Sequence, residues 1–200
     1  MAARNGKAAR ETKETVIQVE LSLDGTGRAD VETGIGFFDH MLTAFAMHGR
    51  FDLTLRCKGD LHIDQHHTVE DTGIVLGQAL AQAVGDKRGI YRYGHAYVPM
   101  DETLVRSVID LSGRAMAVVE IDWQPAYGPQ GMDYALTSEF FWALARAAGM
   151  NIHIDSLRGR DNHHLCEAAF KSFARALDLA TRRDPKLGDI LPSTKGSFDA

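Results

Sequence analysis

Two hundred residues with 44% hydrophobic content can bury a proper core, and two units of half that length fit one fused domain better than two independent ones. A formal net charge of −5 argues against a nucleic acid or a polyanionic membrane as partner. No apolar run suits a membrane span, Met1 to Arg10 lacks the core of a secretory signal, and Cys57 and Cys166 make no disulfide framework, so a cytoplasmic protein is expected.

Residues 1–9, small and basic, read as a disordered tail, and 197–200 as a second tail. Val16 to Leu23 alternates apolar and polar residues up to Asp24-Gly25, a hairpin signal, and Arg28 to Thr33 is expected to return beside it. A helix runs from Phe37 through Leu42 and closes near Gly49; a strand, Phe51 to Cys57, follows. The next helix opens at His66 and carries Leu76 and Leu80 on one face before Gly85. The second half repeats this order. Leu104 to Asp110 and Arg114 to Ile121 flank a turn at Leu111-Ser112-Gly113, Ser138 to Ala148 is a helix stopped by Gly149, and Asn151 to Ile154 is a short strand. The helix at His163 then places Phe173 and Leu177 where the first carries Leu76 and Leu80. The chain is a tandem of two units, each hairpin, helix, strand, helix, divided at about 10–95 and 96–185.

The repeat carries a chemical signature. His66-His67-Thr68-Val69-Glu70 and His163-His164-Leu165-Cys166-Glu167 each set two adjacent imidazoles three and four residues ahead of a carboxylate. On a helix the Glu shares a face with one of its histidines, while adjacent histidines diverge by about 100°, so each cassette is able to serve two different cations. The first helix of each unit offers a further donor: His40 lies 26 residues before His66 and Glu139 lies 24 before His163. The expected ligand sets are His40, His66, His67, Glu70 and Glu139, His163, His164, Glu167. Mixed imidazole and carboxylate donors suit manganese, iron, cobalt or zinc.

The chain resembles the imidazoleglycerol-phosphate dehydratase family from about Arg10 to Lys195. The resemblance rests on Arg10-Glu11-Thr12-Lys13-Glu14-Thr15, Gly34-Ile35-Gly36-Phe37-Phe38-Asp39-His40-Met41-Leu42, His66-His67-Thr68-Val69-Glu70-Asp71, Asp110-Leu111-Ser112-Gly113-Arg114, Asn162-His163-His164 through Lys171, and Pro192-Ser193-Thr194-Lys195-Gly196. It implies an α+β fold, internally duplicated and like the second domain of ribosomal protein S5, each half a four-stranded sheet packed by two helices. It also implies one domain over 10–196 that ends in a phosphate-binding loop, and self-association into a 24-subunit particle. Two divalent metals per site, most simply Mn2+, lie between subunits in that arrangement. Many relatives have His at the position of Glu139, and some an amide where this chain has Ala44. The length leaves no room for the phosphatase fused to some members, so the monofunctional form is expected.

The implied substrate is an imidazole bearing a glycerol phosphate. The resemblance places its phosphate on Arg92, Arg114, Lys171, Ser193 and Lys195, with His48 as a further contact; on residue type alone these are ordinary surface groups. His40, His66, His67, Glu70 and His163 contact substrate as well as metal. Glu14 and Asp101 are the candidate acid and base, and Glu70 and Glu167 are counted as catalytic with them. The expected course is an imidazolate that expels the neighbouring hydroxyl to form a diazafulvene, loss of the next carbon's hydrogen, and relaxation of the enol to the ketone. Two other classes fit the same ligands: a binuclear hydrolase of a small phosphorylated substrate, and a metal-storage assembly.

Overall fold

The computed structural model describes residues 3–124 and 131–198. The first half contains β1 (Asn5–Glu11), β2 (Thr15–Ser22), β3 (Ala29–Glu32), α1 (Gly36–Gly49), β4 (Asp52–Gly59) and α2 (His66–Val84). The second contains, in the same order, β5 (Tyr93–Met100), β6 (Thr103–Asp110), β7 (Met116–Glu120), α3 (Leu136–Ala148), β8 (Asn151–Arg158) and α4 (Asn162–Thr181). Each half folds into a mixed four-stranded sheet, ordered β1-β2-β4-β3 and β5-β6-β8-β7. The edge strands β3 and β7 run parallel to their neighbours, and the other pairs are antiparallel. The duplicated α+β fold is present.

Period-2 patterning sets the inner strands: Thr15, Ile17, Val19 and Leu21 of β2 all point inward and are buried. The helices exchange partners between halves. α2 lies on β1 and β2 and α4 on β5 and β6, while α1 packs against α4 and α3 against α2. Phenylalanines knit the layer together: Phe38 meets Phe140 edge-on at 5.5 Å between ring centroids, and Phe45 stacks on Phe173 at 5.8 Å. Each such pair adds about 0.5–1.5 kcal/mol beyond the area it buries. The result is one continuous core shared by both sheets.

Four expectations about the strands and the repeat bounds need correction. Residues 5–9 are not a loose tail but the start of β1, paired with β2 from Asn5↔Ser22 to Glu11↔Val16; residues 1, 2, 199 and 200 lie outside the described residues. Asn, Gly, Lys and Ala are poor strand formers, so the strand exists through its pairing and its cover by α2, not through propensity. The two hairpins join other strands than the turn signals suggest. β2 does not pair with β3, nor β6 with β7; the hairpins are β1–β2 and β5–β6. After Asp24-Gly25 the chain instead leaves β2 for the far edge of the sheet, and the Asp52 carboxylate fastens it by accepting the N–H groups of Thr26 (2.8 Å) and Arg28 (3.1 Å). The repeats accordingly begin at β1 and β5, earlier than residues 10 and 96. β8 is also longer than Asn151 to Ile154, running to Arg158.

The missed strands share one device. A Cβ at Gly6 of β1 would collide with the carbonyl oxygen of Ala79 in α2, and one at Gly94 of β5 with that of Ala176 in α4. Glycine there lets each helix rest directly on strand backbone. Gly94→Ala is expected to destabilise the protein by roughly 1–3 kcal/mol, because backbone must move to admit the methyl. That loss exceeds the ~0.4–1 kcal/mol that Gly→Ala gains through the unfolded chain. Denaturant unfolding should show it, with Gly6→Ala behaving alike.

Candidate metal centre and active site

Carboxylates start both cassette helices. Asp161 accepts the backbone N–H groups of His163 (2.8 Å) and His164 (3.2 Å), and Asp64 accepts that of His66 (2.8 Å). Negative charge here satisfies free N–H groups and complements the helix dipole, which fixes the imidazoles on the first turns. The first histidine of each pair turns to its own glutamate: His66 Nε2 lies 3.6 Å from Glu70 and His163 Nε2 3.1 Å from Glu167. The second stands nearly at right angles, with interplanar angles of 85° and 89°. Adjacent histidines therefore point at different places.

His40, His163 and Glu167 bring three ligand atoms within 4.8 Å of one another, and no other such group forms among the described residues. Glu167 is buried, and Lys171 Nζ sits 2.6 Å from its Oε1 while His40 Nε2 lies 3.3 Å from Oε2. Burial works to raise the Glu167 carboxyl, but Lys171 and then His40 outweigh it and hold the group below its ordinary value. Two imidazole nitrogens and an ionised carboxylate oxygen fit a divalent first-row cation. Helix exchange has changed the grouping: within one chain His40 joins the second cassette, not the first. Glu139 is exposed on the first turn of α3 and joins no three-donor group.

The outward histidines are each held from behind. His67 Nδ1 lies 3.0 and 3.3 Å from the two oxygens of Asp60, and His164 Nδ1 lies 2.9 Å from Glu102. These contacts raise both imidazoles above their ordinary value, and the His164 bond, with N–H groups from the backbone, takes Glu102 down to about 2. On the other side, His67 Nε2 is 3.8 Å from Glu14 and His164 Nε2 is 3.8 Å from Asp101. Glu14 and Asp101 occupy the β1–β2 and β5–β6 turns. Asp101 adopts φ 48°, a left-handed conformation that Asp tolerates better than most residues.

The chain that carries this duplicated helix-borne cluster is similar in sequence and fold to known proteins. A family model described as imidazoleglycerol-phosphate dehydratase matches residues 33–177. The chain belongs to the imidazoleglycerol-phosphate dehydratase family. It is 56% identical over 195 residues to the dehydratase of Acidovorax sp. (strain JS42), covering 98% of this chain and 92% of that one. The crystal structure of the Staphylococcus aureus N315 dehydratase superposes with a TM-score of 0.80 at 37% identity, over 90% of this chain and 99% of that one. The Pyrococcus furiosus dehydratase, solved with (S)-C348, gives 0.82 at 38%, over 94% and 99%. The enzyme class is that of a hydro-lyase. Among the described residues no helix is long and apolar enough to cross a membrane.

The dehydratase places its candidate phosphate residues at two ends. Lys171 is one turn from Glu167, and His48 stands nearby, pushed below its ordinary value by burial and then by Lys171 and Arg175. The others gather near the far end of α4, where Arg92 donates its N–H to the carbonyl of Ala180. The Arg92 guanidinium forks onto Asp110 at 2.7 and 3.1 Å and gives a third N–H to the carbonyl of Pro192, which leaves two N–H groups to spare. Ser193 and Lys195 lie in the turn just beyond, where the Ser193 hydroxyl accepts the Lys195 N–H. Phe198 folds back to Arg92, its ring 5.0 Å from the guanidinium, and to Gly113, next to the exposed Arg114.

Proposed function

We propose that this chain removes water from D-erythro-imidazole-glycerol phosphate to give imidazole-acetol phosphate in histidine biosynthesis, using paired divalent cations, most simply Mn2+, at sites completed by neighbouring copies. The observation that carries this reading is the buried Glu167 carboxylate, which gathers His40, His163 and Lys171 at one point. A cation centre and a phosphate-binding ammonium then stand side by side, as a substrate with a ring at one end and a phosphate at the other requires.

Distance supports the shared site. Seventeen residues of α4 separate His163 from Ala180, about 25 Å at 1.5 Å per residue. One five-membered ring, three carbons and a phosphate cannot reach from the metal donors to Arg92, Arg114, Ser193 and Lys195 of the same chain. Cationic side chains from one copy would then meet the metal group of another, within the 24-subunit particle expected of the family.

His40, His163 and Glu167, with His66, His67, Glu70, His164 and Glu139, are the residues that would hold the metals. When bound, the cations draw electron density from the ring nitrogens and lower their proton affinity. Glu14 and Asp101, on turns beside His67 and His164, would take the hydrogen from the carbon next to the one that loses hydroxide, and return a proton as the enol becomes the ketone. Lys171 and His48 hold the phosphate end near the metal group.

The test is to supply substrate and Mn2+ and look for a product that absorbs in base. Its formation with no inorganic phosphate supports dehydration, whereas phosphate release without it favours hydrolysis. Lys171→Ala should raise KM by about 10–100-fold, the cost of a charge-assisted contact to phosphate. Full activity of Lys171→Ala would count against the assignment.

A further inference from the structure

We propose that Asp60 and Glu102 are positioning residues that fix the tautomer and direction of His67 and His164, so that each Nε2 is presented to a cation. The inference rests on the reading of these histidines as metal ligands. An ionised carboxylate only accepts hydrogen bonds, so the bonds from Nδ1 to Asp60 and Glu102 place the imidazole proton on Nδ1 and leave the lone pair on Nε2. The outward face of each ring, beside Glu14 or Asp101, is then the face able to bind metal.

Duplication does not explain the pair. Asp60 follows Gly59, which pairs with the Thr15 that opens β2, and the matching Gly159 beside Thr103 is followed by Arg160, not by an acid. Glu102 immediately precedes the buried Thr103 that opens β6, and its counterpart before the buried Thr15 of β2 is Glu14. Glu14 faces Nε2 of His67, not Nδ1. The same contact is thus built twice from positions that do not correspond, which a shared ancestor does not supply and a shared requirement does.

Packing does not explain it fully either. Glu102 has other duties, since it accepts the N–H groups of Arg160 (3.3 Å) and Asp161 (3.1 Å) and the hydroxyl of Thr103 (3.0 Å). Asp60 has none: among the described residues its carboxylate bonds His67 alone, although only 15% of the side chain is exposed. Asp60 is therefore the cleaner position to test.

Metal-stripped wild type, Asp60→Ala and Asp60→Asn would be titrated with Mn2+, with free Mn2+ read by electron paramagnetic resonance. Asp60→Ala should bind one class of Mn2+ about 10–100-fold more weakly, the usual effect of losing a carboxylate behind a ligating histidine. Its denaturation midpoint without metal should match wild type, and Asp60→Asn, whose amide oxygen still accepts from Nδ1–H, should recover most of the affinity. If Asp60→Ala folds poorly, Asp60→Leu, which fills similar space and also lacks an acceptor, carries the comparison. Wild-type affinity in the variant without an acceptor would overturn the proposal while leaving the metal reading intact. A wild-type protein that takes up no Mn2+ would overturn both.

Discussion

Glu167→Gln is expected to lower kcat/KM on the order of a thousandfold or more and to remove one class of bound Mn2+, with the fold retained. The substitution keeps the shape of a buried side chain but withdraws the charge that His40, His163 and Lys171 converge on. An amide oxygen is a poor substitute for a carboxylate ligand, and losing a metal that stabilises developing charge costs at least as much as losing an oxyanion donor. The half-buried Lys171 ammonium also loses its partner, so stability should fall modestly, by about 1–3 kcal/mol. Steady-state kinetics, metal content and thermal unfolding on one preparation separate these effects. Glu70→Gln should produce a similar kinetic loss with less change in stability, since Glu70 is far more exposed. Near wild-type turnover in Glu167→Gln would remove the central group from the mechanism.

The second large effect is the rescue of two dead proteins by each other. His163→Ala lacks a metal donor and Arg114→Ala lacks a phosphate cation, and each is expected to be nearly inactive when pure. If one copy supplies the metal group and another the distal cations, a co-assembled equal mixture contains sites formed by the intact parts of both. Random assembly puts about a quarter of sites in that state, so about a quarter of wild-type activity should return. Mixing folded, preassembled proteins should restore much less. A co-assembled mixture that remains dead would place the whole site within one chain, against the ~25 Å that α4 puts between its two ends.

The elements were unequally legible. α2 and α4 could be read because apolar periodicity and the His-His-x-x-Glu spacing are local properties, as is the Gly85 stop of α2. β1 could not. Asn5, Gly6, Lys7 and Ala8 show no strand pattern, and Gly6 is there because α2 needs the space a side chain would fill. The turn at Asp24-Gly25 was a genuine turn signal attached to the wrong partner, since a local motif does not say which strand the chain will next pair with. In the site, the i,i+4 contacts of His66 with Glu70 and of His163 with Glu167 follow from helix geometry alone. Asp60 and Glu102 gave no signal. One lies seven residues from its histidine across a loop and the other 62 residues away, at positions the repeat does not equate.

The chain's own order of residues determined that there are two copies of one unit, that each opens a helix with paired imidazoles and a carboxylate, and that neighbouring imidazoles diverge. These depend on backbone geometry within a few residues and on self-similarity, both written along the chain. Tertiary structure alone decided that His40 joins the second cassette, that carboxylates stand behind His67 and His164, and that the cations divide between the two ends of α4. These depend on how α1 crosses to α4 and α3 to α2, a choice made by the packing of Phe38, Phe45, Phe140, Phe170 and Phe173 in a core shared by both halves.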